Sequence, residues 1–68
     1  MKLSARNQLS GKVVEIKEGA VNAVVKIEIA KDIVISSTIS IDAVKELGLT
    51  VGSEATAVIK ATSVMLMA

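Results

Sequence analysis

The chain has 68 residues and a formal net charge of +1, with no cysteine, no histidine and no aromatic side chain. These absences remove disulfides, the commonest transition-metal ligands, and the aromatic faces on which nucleic-acid bases stack. The carboxylates, Glu15, Glu18, Glu28, Asp32, Asp42, Glu46 and Glu54, show no calcium-loop spacing, and the basic residues form no polybasic block.

The first element is predicted in "NQLSGKVVEIK", where Leu9, Val13, Val14 and Ile16 are the apolar positions of a strand and Gly11 marks a bend or bulge. Glu18 and Gly19 form the turn into "EGAVNAVVKIEIA". That run alternates with period two: Val21, Ala23, Val25, Ile27 and Ile29 share one face, while Asn22, Lys26 and Glu28 take the other. Lys31 and Asp32 make a second turn. "IVISSTISI" alternates again, with Ile33, Ile35, Ile39 and Ile41 opposite a face of Val34, Ser36, Thr38 and Ser40.

The period then changes. Ile41, Val44 and Leu47 recur every third residue, which fits one face of a short helix. Ser40 or Asp42 can cap its start, and Gly48 can stop it. "LTVGSE" is a turn into a fourth strand, "EATAVIK"; Lys60, Ala61, Thr62 and Ser63 form a polar break; "VMLMA" is a final strand. Five strands with a helix between the third and fourth give an all-β fold, a small five-stranded OB-like barrel formed by one domain over residues 1–68. A small sandwich or open sheet is the alternative.

A chain this short buries a modest fraction of its surface, yet 51% of its residues are hydrophobic. With disulfides excluded, oligomerisation is the remaining reinforcement. Met65 and Met67 suit an interface or core filler. The start "MKLSARNQLSG" lacks the apolar run of a secretory signal, and no stretch approaches a membrane span, so the expectation is a cytoplasmic protein without membrane contact.

Catalysis has little to work with. His, Cys and Tyr are absent, and no nucleophile elbow, P-loop or GxGxxG is present, so no enzyme is expected. Hydrogen-bond donors are available instead: the guanidinium of Arg6, the ammonium of Lys60, and the hydroxyls of Ser4, Ser40, Thr62 and Ser63. With backbone N–H groups at "SAR", at the helix start and in the "KAT" break, they suit a small oxyanion. Each also has a plain structural reading, Arg6 and Lys60 as solvated surface and Ser40 as a helix cap.

"SARNQLSGKV" at the start, "VIKATSVMLMA" at the end and "ISIDAVKELGLTVGSEATAVIKATSV" between them resemble the molbindin family, small cytoplasmic molybdate- and tungstate-binding proteins. The resemblance covers essentially the whole chain. It implies an OB-like barrel and a homohexamer, a trimer of dimers, with oxyanions held between subunits. Carried over by motif, Ser4, Ala5, Arg6, Lys60, Ala61 and Thr62 contribute to one anion site, and Ser40 with the backbone near Ala43 completes it from a neighbouring subunit. Family members often carry a hydroxyl residue where this chain has Ala43, or serine where it has Ala61, which leaves only backbone donors there. A second class of site near the symmetry axes draws on Gly19, Ala20, Val21 and Asn22. The implied ligand is molybdate or tungstate, with no further cofactor, no metal bound as a cation, and a role in storage or homeostasis. The competing expectations are a structural or regulatory interaction module and, against the balanced charge and missing aromatics, a nucleic-acid-binding OB domain.

Overall fold

Alternation of apolar and polar residues commits most of this chain to strands. The computed structural model describes residues 6–68 and places β1 at Asn7–Glu18, β2 at Asn22–Ala30, β3 at Ile33–Ser40, α1 at Ile41–Leu47 and β4 at Glu54–Ile59. A 3-10 turn follows at Ala61–Ser63. The four strands form one antiparallel sheet in the order β3-β2-β1-β4.

β1 organises the sheet because it changes partners along its length. Its first half, from Asn7 to Lys12, pairs with β4, and its second half, from Lys12 to Glu18, pairs with β2. That stagger is the shear that curls a sheet toward a barrel. The inward face of β2, with Ala23, Val25 and Ile27, is buried as its alternation requires, and Val13 and Val44 complete the core. Val21 and Ile33 belong by alternation to the same inward faces, but they lie at strand ends and are exposed.

The irregularity expected at Gly11 occurs two residues later. The register between β1 and β2 slips between Val13 and Glu15, leaving Val14 as the extra residue of a bulge. This explains how Val13 and Ile16, three residues apart, both face the core. The loop before β4 straps this point from the other side: the Val13 N–H donates to the Ser53 carbonyl at 2.8 Å, and the Gly52 N–H donates to the Val13 carbonyl at 2.8 Å. Gly11 has a different task. A Cβ there would collide with the Glu28 carbonyl oxygen, so the residue permits close approach of two backbones.

α1 follows β3 without a linker. Ser40 is its N-cap, accepting a hydrogen bond from the Ala43 N–H at 3.0 Å, and this decides between Ser40 and Asp42. Gly48 ends the helix in the left-handed region, at φ 65°. Val44 is the helix's buried contribution to the core, Ile41 packs beside it, and Leu47 is largely exposed despite its spacing.

One expected element is absent among the described residues: "VMLMA" pairs with no strand. Met65, Leu66 and Met67 are 92%, 94% and 98% exposed, and the chain is a curled half-barrel with β3 and β4 as its open edges. The physical reason is local. A strand needs a hydrogen-bonding neighbour, and the chain carries this segment away from its own sheet.

Candidate functional site

The register of β1 and β4 decides where Arg6 goes. Asn7 pairs with Ile59, so the next step of the same antiparallel register sets Arg6 beside Lys60. The Asn7 side-chain amide donates to the Ile59 carbonyl at 3.2 Å and ties the two strands together at this end. Arg6 and Lys60 are both exposed. The ion pair among the described residues lies elsewhere, between Lys26 and Glu15 at 3.7 Å.

Sequence reinforces the charge imbalance. Residues 1–14 and 55–68 contain no carboxylate side chain, and the pairing of residues 7–11 with residues 55–59 joins parts of these two acid-free stretches. Next to Lys60 the backbone tightens into the 3-10 turn, where the Ser63 N–H donates to the Lys60 carbonyl at 2.8 Å. Ala61 and Thr62 are exposed on that turn. The first N–H groups of such a turn have no acceptor within it. Ser4 and Ala5, expected in the same group, lie outside the described residues.

Ser40 and Ala43 occupy the opposite end of the sheet. Ser40 pairs with Asn22 across β2 and β3, and the Ile41 N–H donates to the Val21 carbonyl at 2.9 Å. The start of α1 therefore adjoins the β1–β2 turn of Gly19, Ala20, Val21 and Asn22, itself closed by a 2.7 Å hydrogen bond from the Gly19 N–H to the Asn22 carbonyl. The Ala43 N–H is engaged by the Ser40 hydroxyl oxygen. Ser40 accepts in that bond, so its hydroxyl proton can still be donated. Asp42 places a carboxylate in the same helical turn.

One chain thus holds two clusters at opposite ends of β1, Arg6 with Lys60, Ala61 and Thr62 at its start, and Ser40 with Ala43, Val21 and Asn22 at its finish. They do not meet within one chain. Sequence reasoning misses Asn7, whose side chain fixes the pairing that sets Arg6 against Lys60. Its only signal is its place beside Arg6 at the strand start. The outer face of β1 and β4 carries a shallow recess around Ser10 and Thr56, whose hydroxyls are 3.1 Å apart, with Lys12 and Glu54 also lining it. Among the described residues, no group of three acidic side chains is placed to hold a metal ion, and no helix is long and apolar enough to cross a membrane.

The chain is 66% identical over 65 residues to a probable molybdenum-pterin-binding protein from Haemophilus influenzae, covering 96% of this chain and 94% of that one. Among solved structures, a molybdate-binding protein from Sporomusa ovata superposes with a TM-score of 0.93 at 37% identity, over the full length of both chains. The cytoplasmic molybdate-binding protein ModG, solved with molybdate bound, gives a TM-score of 0.86 at 49% identity, over 90% of this chain and 43% of its own. Residues 3–66 match the TOBE domain, and with that match the chain belongs to the TOBE-domain family, as its resemblance to the molbindins implies.

Proposed function

We propose that this protein binds the tetrahedral oxyanions molybdate or tungstate inside the cell, at interfaces between copies of a homohexamer, and serves in molybdenum storage or homeostasis. The observation that carries this reading is the β1–β4 register, whose extension by one step beyond the Asn7–Ile59 pair sets Arg6 beside Lys60, in segments that contain no carboxylate side chain. A dianion needs its hydration replaced by charge and directed donors. Arg6 offers a fork suited to two oxygens, and Lys60 offers a point charge. Ser4, Ala5, Ala61 and Thr62 add donors beside them, and Ser40 with the start of α1 faces the anion from another copy. That division follows from the separation of the two clusters along β1. The turn at Gly19, Ala20, Val21 and Asn22 forms a second class of site.

The names of the relatives support molybdenum as the element bound, and the description of ModG supports a cytoplasmic location. Those relatives are described as binding proteins, which supports binding rather than catalysis. The name "molybdenum-pterin-binding" raises the question of a pterin. This chain has no aromatic side chain to stack on a pterin ring, whereas Arg6 and Lys60 suit the bare oxyanion.

Calorimetric titration with molybdate, tungstate, sulfate and phosphate tests the reading. Saturable binding of molybdate and tungstate, with sulfate and phosphate much weaker, is expected. Absence of molybdate and tungstate binding at micromolar protein overturns it. Arg6→Ala should weaken one class of sites by about ten- to a hundredfold, the loss expected for one charge-assisted hydrogen-bonding group.

A further inference from the structure

Gln8 is a polar side chain that neither the fold nor the proposed site employs. Among the described residues, side-chain hydrogen bonds are made by Asn7, by Ser10 with Thr56, by Ser40 and by Ser53; Gln8 takes part in none. Its face is set by the alternation of the two paired strands. Along β4, Ala55, Ala57 and Ile59 are half-buried, and Glu54, Thr56 and Val58 are exposed. On β1, Asn7 is half-buried between Arg6 and Gln8, which are both exposed. The 3.1 Å contact of the Ser10 and Thr56 hydroxyls shows that the exposed members of paired positions share one face. Gln8 therefore stands on the same outer face as Arg6 and Lys60.

The register also sets its distance from the two charges. Gln8 pairs with Val58, and the next outward position along β4 is Lys60. Gln8 and Lys60 are thus diagonal neighbours, about 7–8 Å apart at the backbone and within reach of one another through long side chains. Arg6 lies two residues along the same strand, about 7 Å away. With Arg6 set beside Lys60 by the next step of the register, three corners of a rectangle carry Arg6, Lys60 and Gln8. The fourth carries Val58, whose short apolar side chain offers the amide no partner.

We infer that the Gln8 side-chain amide donates to the oxyanion held by Arg6 and Lys60, as the neutral donor of that site. This rests on the oxyanion reading above and adds a residue to it. Charge favours an amide at this corner. Arg6 and Lys60 bring two positive charges, which match a dianion. A third cation there would exceed that match, and a carboxylate would cancel part of it. An Nε2–H group adds a directed bond and leaves the balance unchanged.

The chain has three side-chain amides, those of Asn7, Gln8 and Asn22, so a nitrogen-15 spectrum of the full chain separates them as three pairs of signals. Molybdate should move the Gln8 pair, with saturation at the concentration that saturates the heat of binding. A Gln8 pair that stays in place while heat is released overturns the inference and leaves the proposed function standing. Gln8→Met keeps the length of the side chain without its hydrogen bonds. It should bind molybdate about tenfold more weakly at an unchanged urea midpoint, and Gln8→Glu more weakly still. Parental affinity in both variants also overturns the inference. A parent chain that releases no heat overturns the oxyanion reading itself, and this inference with it. Should a variant fail to fold, the amide signals of the parent chain decide.

Discussion

At the scale of single residues, two positions carry sharply different demands. Gly11 has no room for a side chain: the nearest obstacle is a backbone carbonyl, which cannot swing aside as a flexible side chain can. Gly11→Ala should therefore force β1 and β2 apart and destabilise the fold by about 3 kcal/mol, the upper part of the usual range for overpacking, read as a lower midpoint in urea. Ser40 has two separable duties, the cap it already performs and the donor role proposed for it. Ser40→Ala removes both and should cost about 1 kcal/mol of stability. Ser40→Asp keeps an N-cap oxygen but adds a negative charge where the dianion is proposed to sit. It should melt close to the parent temperature while losing molybdate affinity by at least tenfold. Parental affinity in Ser40→Asp would remove Ser40 from the site. The chemistry of Arg6 and Lys60 is legible in the sequence. Their being neighbours follows only from the β1–β4 register, which no residue type announces.

At the scale of elements, the chain's periodicity specifies β2 and β3 well. The inward face of β2 follows the alternation from Ala23 to Ile29. β1 is harder to read, because a bulge shifts the period by one residue midway. The doublet Val13-Val14 is its trace in the sequence, whereas Gly11 stands out for a different reason, close packing. α1 is legible at both ends, since its cap and its terminating glycine are chemical requirements and not matters of packing. Gly48 sits at φ 65° with open space around a notional Cβ, so the cost of Gly48→Ala is purely conformational. It should destabilise the fold by about 1 kcal/mol, and Gly48→Asn by less, as thermal melting can check. The final segment has the pattern of a strand, but pattern alone does not supply the hydrogen-bonding neighbour that a strand needs.

At the scale of the whole molecule, the described residues bury only Val13, Ala23, Val25, Ile27 and Val44 to the level of a core, none of them larger than isoleucine. A core of that size leaves a 68-residue chain marginal. Large apolar side chains such as Leu47, Val51 and Val58 remain at least half exposed or nearly so. Composition points to association, and the structure shows where the uncovered apolar surface lies. Binding an anion between copies should strengthen the assembly by mass action, so saturating molybdate should raise its melting temperature, and more so at low protein concentration.

The placement of the two residue clusters at opposite ends of β1 has a genetic corollary. Two defective chains can repair one another. In the site proposed above, shared between copies, Arg6→Ala would spoil one half and leave the other sound; Ser40→Asp would do the reverse. Each variant alone should be without intact sites of this class. When the two are unfolded together in equal amounts and reassembled, random mixing should restore about one site in four, wherever an intact Arg6 meets an intact Ser40 from the other parent. Recovered molybdate binding in the mixture would be complementation between alleles. Its absence would mean that both residues serve the same chain's own sites, or none.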